Sequence, residues 1–164
     1  MLRPPPLLRA LPVLLVPLLP LLAASPAAAA EVTVRMVTDG SAGRFRFEPR
    51  IVRIRPGDTV RFVAHDPIHA TKSIPGMMPE GARPWWGEMG RPLAVTLTVP
   101  GVYGFKCPSH YAVGMVGLIV VGDPAPNFER ARAVRHPRMA QEAFARLFAI
   151  LACEAEGRGD CPPE

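Results

Sequence analysis

The chain has 164 residues, a formal net charge of +5 and 49% hydrophobic residues, with much of the apolar excess in residues 1–30. The remaining residues carry only a mild positive charge, which excludes the strongly basic, clustered pattern typical of nucleic-acid-binding domains. Their number is enough for one domain with a single core and makes two domains an unfavourable interpretation.

Residues 1–30 have the composition of an export signal. They contain two arginines, no acidic residue, a Leu/Val/Pro run and a closing run of alanines. This pattern predicts a secretory signal peptide cleaved after Ala30, which implies a periplasmic protein. A transmembrane helix is the weaker interpretation, because the apolar run is shorter than the ~20 residues that cross a bilayer and prolines interrupt it. We therefore expect no stable membrane insertion.

Apolar residues recur at period two between positions 32 and 118, which is typical of half-buried strands. The alternating sets, in chain order, are Val32, Val34 and Met36; Val52 and Ile54; Val60 and Phe62; Val95, Leu97 and Val99; and Tyr103, Phe105 and Cys107. Turn signals at 39–40, 56–58, 75–76 and 100–101 separate them. A nearly continuous apolar run at 116–121 predicts a final, central strand, and the whole pattern predicts an all-β sandwich or barrel.

The pattern becomes helical after residue 124. Residues 138–153 carry apolar side chains close to an i, i+3, i+4 stripe, with Pro137 at a position that a first helical turn tolerates. A shorter helical turn is predicted over 127–133, with Asn127 as its N-cap. We expect residues 31–124 to form the sandwich, residues 125–153 to pack on it as helices, and residues 154–164 to be an irregular tail.

One loop between two predicted strands carries the chemistry. Cys107, His110 and Met115 offer a thiolate, an imidazole and a thioether within a few residues. Together with a second histidine from another strand, they form the ligand set of a type 1 copper centre, in which soft sulfur ligands favour Cu(I) and imidazole suits Cu(II). Alone, a Cys-x-x-His pair could also be half of a zinc site, but no second pair lies at zinc spacing.

The second histidine must be His65, His69 or His136. His65 follows the Val60 strand directly, and His136 precedes a helix. His69 lies in a loop where a side chain can turn from the sheet towards Cys107, so we predict His69 as the ligand.

With these residues the chain resembles the cupredoxins, and among them most closely the pseudoazurin branch of that family. The matching segments are FEP at 47–49, PGDTV at 56–60, the His69 loop, GMMPEGA at 76–82, PGVYG at 100–104, KC at 106–107, HYA at 110–112, GMV at 114–116 and VGD at 121–123. The resemblance implies a Greek-key β-sandwich of about eight strands with one or two C-terminal helices. It also implies one type 1 copper held by His69, Cys107, His110 and Met115.

Two positions depart from the family pattern. The family usually has Asn after its first histidine ligand, where this chain has Ala70, and it usually reads Cys-Thr-Pro-His, where this chain has Cys107-Pro108-Ser109-His110. Proline has no backbone N–H and alanine has no side-chain amide, so both changes affect one linkage between the ligand loops. We expect altered hydrogen bonding around the site and unchanged ligation.

The resemblance implies an electron carrier and not an enzyme. Its partners would be redox proteins that dock transiently near His110, such as copper nitrite reductase, other denitrification enzymes or c-type cytochromes, and the carrier would be a monomer. A multicopper oxidase needs further copper sites, and a total of four histidines leaves too few. A periplasmic copper storage or delivery protein is the alternative, for which Met- or His-rich clusters would be expected.

Cys153 and Cys161 lie outside the resemblance. In an oxidising compartment we expect them to form a disulfide after the last helix, whereas the alternative is a second metal or partner contact in the tail. Cys107 stays unpaired in either case.

Overall fold

The computed structural model describes residues 28–41 and 43–164. The predicted signal peptide falls almost entirely on residues 1–27, outside the described residues. Within the described part of the chain, neither helix combines the length and the apolar content that a membrane span requires.

Two four-stranded sheets form a sandwich. The strands are β1 (Glu31–Gly40), β2 (Gly43–Glu48), β3 (Ile51–Ile54), β4 (Thr59–Ala64), β5 (Lys72–Ser73), β6 (Leu93–Thr96), β7 (Gly101–Lys106) and β8 (Val116–Val121). One sheet has the order β2-β1-β4-β6 and the other β3-β8-β7-β5. β1 runs parallel to β4 and β3 parallel to β8, while the other neighbours are antiparallel. The predicted cupredoxin-type sandwich is confirmed.

Three details of the strand prediction are wrong. β2 and the two-residue β5 were not predicted, and β6 ends at Thr96 instead of continuing to Val99. Leu97 leaves the strand because its backbone bonds to a turn: Leu97 N–H donates to the Asp58 carbonyl at 3.0 Å, and Gly57 N–H donates to the Leu97 carbonyl at 2.8 Å. Leu97 is nevertheless buried in the core.

β8 lies between two apolar layers, which explains its nearly continuous apolar sequence. Ile119 and Val121 face the other sheet, where they join the main core with residues of both sheets. Val116, Leu118 and Val120 face the opposite way and pack with the C-terminal helix. The strand is therefore central, as predicted, and it has no solvent-facing side.

Two helices follow the sandwich, α1 (Phe128–Arg132) and α2 (Arg138–Ala155). α2 begins at the predicted residue and buries one stripe of side chains against β8, as the periodicity indicates. The stripe contains Ala140, Phe144, Leu147, Phe148 and Leu151. The apolar stripe of α2 thus closes the second core.

Asn127 precedes α1 as predicted, but its side chain does not cap the helix. Asn127 Oδ1 accepts from Val102 N–H at 2.8 Å, and its Nδ2 donates to the Val102 carbonyl at 2.8 Å. Since the oxygen and the nitrogen of the Asn127 side-chain amide both bond to the backbone of β7, the residue anchors α1 to the sheet.

The tail after α2 is held at two places. Cys153 and Cys161 are joined in a disulfide, which confirms the expected bridge, and Cys107 is the free cysteine of the described chain. At the last residue, Glu164 Oε2 accepts from Arg50 N–H at 2.8 Å. The tail therefore folds back against the segment between β2 and β3.

Candidate metal centre

The loop between β7 and β8 is closed by its own backbone. Cys107 N–H donates to the Met115 carbonyl at 3.0 Å, and Met115 N–H donates to the His110 carbonyl at 3.1 Å. Gly114 turns the chain with a φ of +87°, a conformation that side chains other than glycine rarely adopt. These bonds hold three of the four predicted ligands in one compact turn.

Three predicted ligands converge. His110 Nδ1 lies 3.5 Å from Cys107 Sγ, and His69 Nδ1 lies 4.0 Å from the same sulfur. The donor atoms of these residues all lie within 4.8 Å of one another. Cys107 and His69 are fully buried, as is the fourth predicted ligand Met115, while His110 is partly exposed. His65 is exposed after β4, and neither it nor His136 belongs to the cluster.

The donor set fits copper. Two imidazoles and a buried thiol in a trigonal cluster, with a buried thioether in the same loop, match the preferences of copper in both oxidation states. A closed structural zinc site would need a fourth ligand, and no other Cys or His of the described residues joins this cluster.

Burial lowers the pKa of both clustered histidines. For His69 desolvation is the largest cause, the nearby His110 adds to it, and Asp66 opposes it. For His110 desolvation is the cause. A lowered pKa keeps each imidazole neutral at neutral pH, which is the form that binds a metal.

Two residues that the sequence did not indicate orient His69. Its Nε2 lies 3.1 Å from Thr38 Oγ1 and 3.7 Å from Asp66 Oδ2. Asp66 Oδ2 in turn accepts from Thr38 N–H at 2.8 Å, and this bond is the largest cause of the lowered pKa of Asp66. Because Nε2 is occupied by this pair, Nδ1 faces the Cys107 sulfur. Thr38 is 31 positions away in sequence, so no local pattern identifies it.

Phe45 is a third residue that the sequence did not indicate. Its ring stacks on His110 with centroids 4.3 Å apart and an interplanar angle of 12°, and it meets His69 edge-on. Its backbone has a φ of +50°, the left-handed region. The alternation of arginine and phenylalanine over 44–47 is a period-two signal that could have identified β2 but not the stack.

Ala70 and Pro108 lie where the sequence places them. Ala70 is buried and contributes only a methyl group, while Pro108 is exposed on the other ligand loop. Neither can supply the linking hydrogen bond that the family pattern implies. The altered linkage stays a prediction.

Tyr111 connects the ligand loop to the helices. Its hydroxyl lies 2.6 Å from His136 Nδ1, and the His136 ring packs on Phe144 of α2 with centroids 4.5 Å apart. Lys106 Nζ lies over the Tyr111 ring, 3.9 Å from its centre. His136 thus supports the loop from outside the cluster.

A Greek-key sandwich with a buried cluster of this composition between its loops defines a cupredoxin-type copper protein. The sequence profile of "Copper binding proteins, plastocyanin/azurin family" matches residues 34–122. A pseudoazurin of Methylorubrum extorquens is 43% identical over 77% of this chain and 85% of its own length, and one of Paracoccus pantotrophus is 39% identical over 79% and 87%.

Solved structures of pseudoazurins superpose on this chain over most of their length. The crystal structure of pseudoazurin from Methylobacterium extorquens AM1 superposes with a TM-score of 0.71 at 41% identity, covering 74% of this chain and 98% of that chain. Pseudoazurin from Hyphomicrobium denitrificans gives 0.69 at 32% identity, covering 73% and 96%. The chain belongs to the plastocyanin/azurin family of copper-binding proteins and, within it, to the pseudoazurins. It is a type 1 copper electron-transfer protein.

Proposed function

We propose that this protein is a periplasmic, monomeric electron carrier, not an enzyme, in which His69, Cys107, His110 and Met115 hold one copper. The observation that carries the proposal is the convergence of two imidazole nitrogens on the buried Cys107 sulfur, at 3.5 and 4.0 Å. Bound copper supplies a one-electron couple between Cu(I) and Cu(II). The buried residues around it form a pocket that excludes water.

Neighbouring side chains hold both imidazoles in their orientation. Thr38 and Asp66 hold the His69 ring from its Nε2 side, and Phe45 stacks on the His110 ring. Since donors that are already in place need not move when the charge of the site changes, the reorganisation accompanying electron transfer is small.

His110 is the route by which electrons enter and leave. It is partly exposed, whereas Cys107, His69 and Met115 are buried. Exposed apolar surface adjoins it on the same loop, including Val113 at 45% exposure. A small apolar patch around an exposed ligand allows close approach of a partner without a large, slowly dissociating interface.

Positive charge lies beside this patch. Lys106 Nζ packs over Tyr111, and Lys72 Nζ packs over the exposed Trp86 at 3.6 Å from the ring centre. Burial and the charge of Lys72 lower the pKa of Lys106. Both cations favour acidic redox partners, of which copper nitrite reductase and c-type cytochromes are the candidates, and the encounter is weakened by salt.

The test is the visible spectrum and metal content of the exported protein. We expect one copper per chain and an intense thiolate-to-Cu(II) band. Cys107→Ser should remove the band and leave the far-UV circular dichroism of the sandwich unchanged. His69→Ala should weaken copper binding, and the matched control His65→Ala should not.

Two outcomes contradict the proposal. A band that survives in Cys107→Ser would show that the ligand assignment is wrong. Several coppers per chain would favour the storage or delivery alternative.

A further inference from the structure

A cleft lined by arginines opens beside the ligand loop. It has a volume of about 180 Å³. Its lining includes Arg44, Arg46, Arg50 and Arg146 together with the apolar side chains of Phe45, Val113 and Met139. We call it the arginine cleft. Its cations come from β2, from the segment before β3 and from α2, so the fold and not a local charge run brings them together.

The positive charge of the cleft is incompletely compensated. Glu142 also lines it, but this carboxylate pairs with Arg138 at 3.3 Å. Arg146 forms no ion pair with any carboxylate in the described part of the chain. Glu164 reaches Arg50 only at its backbone N–H. Arg44 also lines the cleft, and it pairs with Asp39 at 3.0 Å. Among the described residues, the guanidinium groups of Arg50 and Arg146 are therefore the ones that the cleft leaves without a carboxylate in salt-bridge contact.

Arg50 has an unused hydrogen-bond donor. Its Nε donates to the Val116 carbonyl at 3.3 Å, but its Nη2 is buried and has no hydrogen-bond partner among the described residues. An unsatisfied buried donor on a charged group is costly unless a ligand meets it. Burial is the largest cause that lowers the pKa of Arg50 to about 10, and the charges of Arg46 and Arg146 add to it against Glu164. Arg50 therefore stays charged at neutral pH.

We propose that the arginine cleft binds a small tetrahedral oxyanion of the phosphate or sulfate class. Guanidinium groups recognise such oxyanions through paired, charge-assisted hydrogen bonds. A dianion matches the two guanidinium charges of Arg50 and Arg146 better than a single carboxylate does, and a cleft of about 180 Å³ favours a small ion.

The cleft shares a wall with the metal centre. Phe45 lines the cleft and stacks on His110, and Val113 belongs to the ligand loop. A negative charge held there stabilises Cu(II) relative to Cu(I), so an occupied cleft lowers the reduction potential. By thermodynamic linkage, the oxidised protein binds the anion more tightly than the reduced one. The expected change in reduction potential rests on the proposed electron-transfer function, whereas anion binding itself does not.

The test uses the copper-loaded, reduced protein and inorganic sulfate or phosphate at constant ionic strength. In two-dimensional amide NMR spectra we expect saturable shifts confined to residues 43–46, 50, 113–114 and 139–146. Arg146→Gln should weaken binding by about tenfold or more. Arg132→Gln is the matched control, because it removes the same charge from α1, where Arg132 pairs with Glu129, and it should bind as the unchanged protein does.

A second measurement is voltammetry with sulfate in place of chloride. The potential should fall in the unchanged protein and in Arg132→Gln, and stay constant in Arg146→Gln. Shifts that never saturate, or equal affinities in the two variants, would overturn the proposal. Saturable shifts caused by an acidic peptide but not by sulfate would also overturn it, since the cleft would then be part of a protein-docking surface. None of these results would alter the visible band that tests the copper site.

Discussion

The Phe45 ring lies nearly parallel to the His110 imidazole, with their centroids 4.3 Å apart. A non-glycine residue at a φ of +50° costs about 1–3 kcal/mol, so the surrounding packing must hold Phe45 in place. Its position restricts rotation of the most exposed predicted ligand.

Phe45→Leu should therefore loosen the site while leaving the fold intact. Aromatic pairs contribute about 0.5–1.5 kcal/mol beyond their buried area, which corresponds to a loss of up to about tenfold in copper affinity. Competition with a chelator measures the affinity. Trp86→Leu is the control, because Trp86 is an exposed aromatic residue that packs on Lys72 and on no predicted ligand. Equal losses in both variants would contradict an orienting role for Phe45.

Thr38→Val should weaken copper binding through His69. Valine has nearly the shape of threonine but lacks the hydroxyl that meets His69 Nε2 at 3.1 Å. Loss of such an outer partner typically costs about 10–100-fold in metal affinity. Thr33→Val is the matched control, since Thr33 is exposed on the same strand. Chelator competition and the visible band are the measurements, and an unchanged affinity in Thr38→Val would count against this orientation of His69.

His136 should make the stability of the fold depend on pH. Burial, with a smaller effect of the Lys106 charge, lowers the pKa of His136 below its usual 6.5. The unfolded chain therefore binds this proton more readily than the folded chain does. The contribution to stability is complete above pH 6.5 and is lost as the pH falls towards the folded pKa, with a slope of at most about 1.4 kcal/mol per pH unit.

Urea unfolding at a series of pH values between 7.5 and 5 measures this effect. We expect His136→Gln to give a shallower decline than the unchanged protein. His65→Gln, at an exposed position, is the control and should not change the slope. Identical slopes in His136→Gln and the unchanged protein would assign the pH dependence to other groups.

Ala70 and Pro108 should act as one linkage. Ala70→Asn alone should change the reduction potential little, because Pro108 still lacks a backbone donor. Adding the exchange Pro108→Thr with Ser109→Pro should restore hydrogen bonding between the ligand loops and give a non-additive shift. Voltammetry is the measurement, and it compares three variants: Ala70→Asn alone, Pro108→Thr with Ser109→Pro, and the combination of all three substitutions. Shifts that simply add would mean that these positions act independently.

The sequence predicts what is local in the chain. Cys107, His110 and Met115 are found because they share one short loop, and α2 is found because its stripe repeats with helical period. The orienting residues Thr38 and Phe45 are not found, because their role depends on which strand lies beside the ligand loops. The arginine cleft is missed for the same reason, since its cations come from β2, the segment before β3 and α2.

β7 and β8 are neighbouring interior strands of one sheet, and the ligand loop joins their ends. Backbone amides in such strands exchange with solvent only when the whole domain opens. Cys107 and Met115 directly continue these strands, so their positions are as long-lived as the fold itself. His69 and Thr38 approach from outside β7 and β8. Metal loss without unfolding should therefore begin with the histidine side of the site, while the two sulfur ligands keep their places.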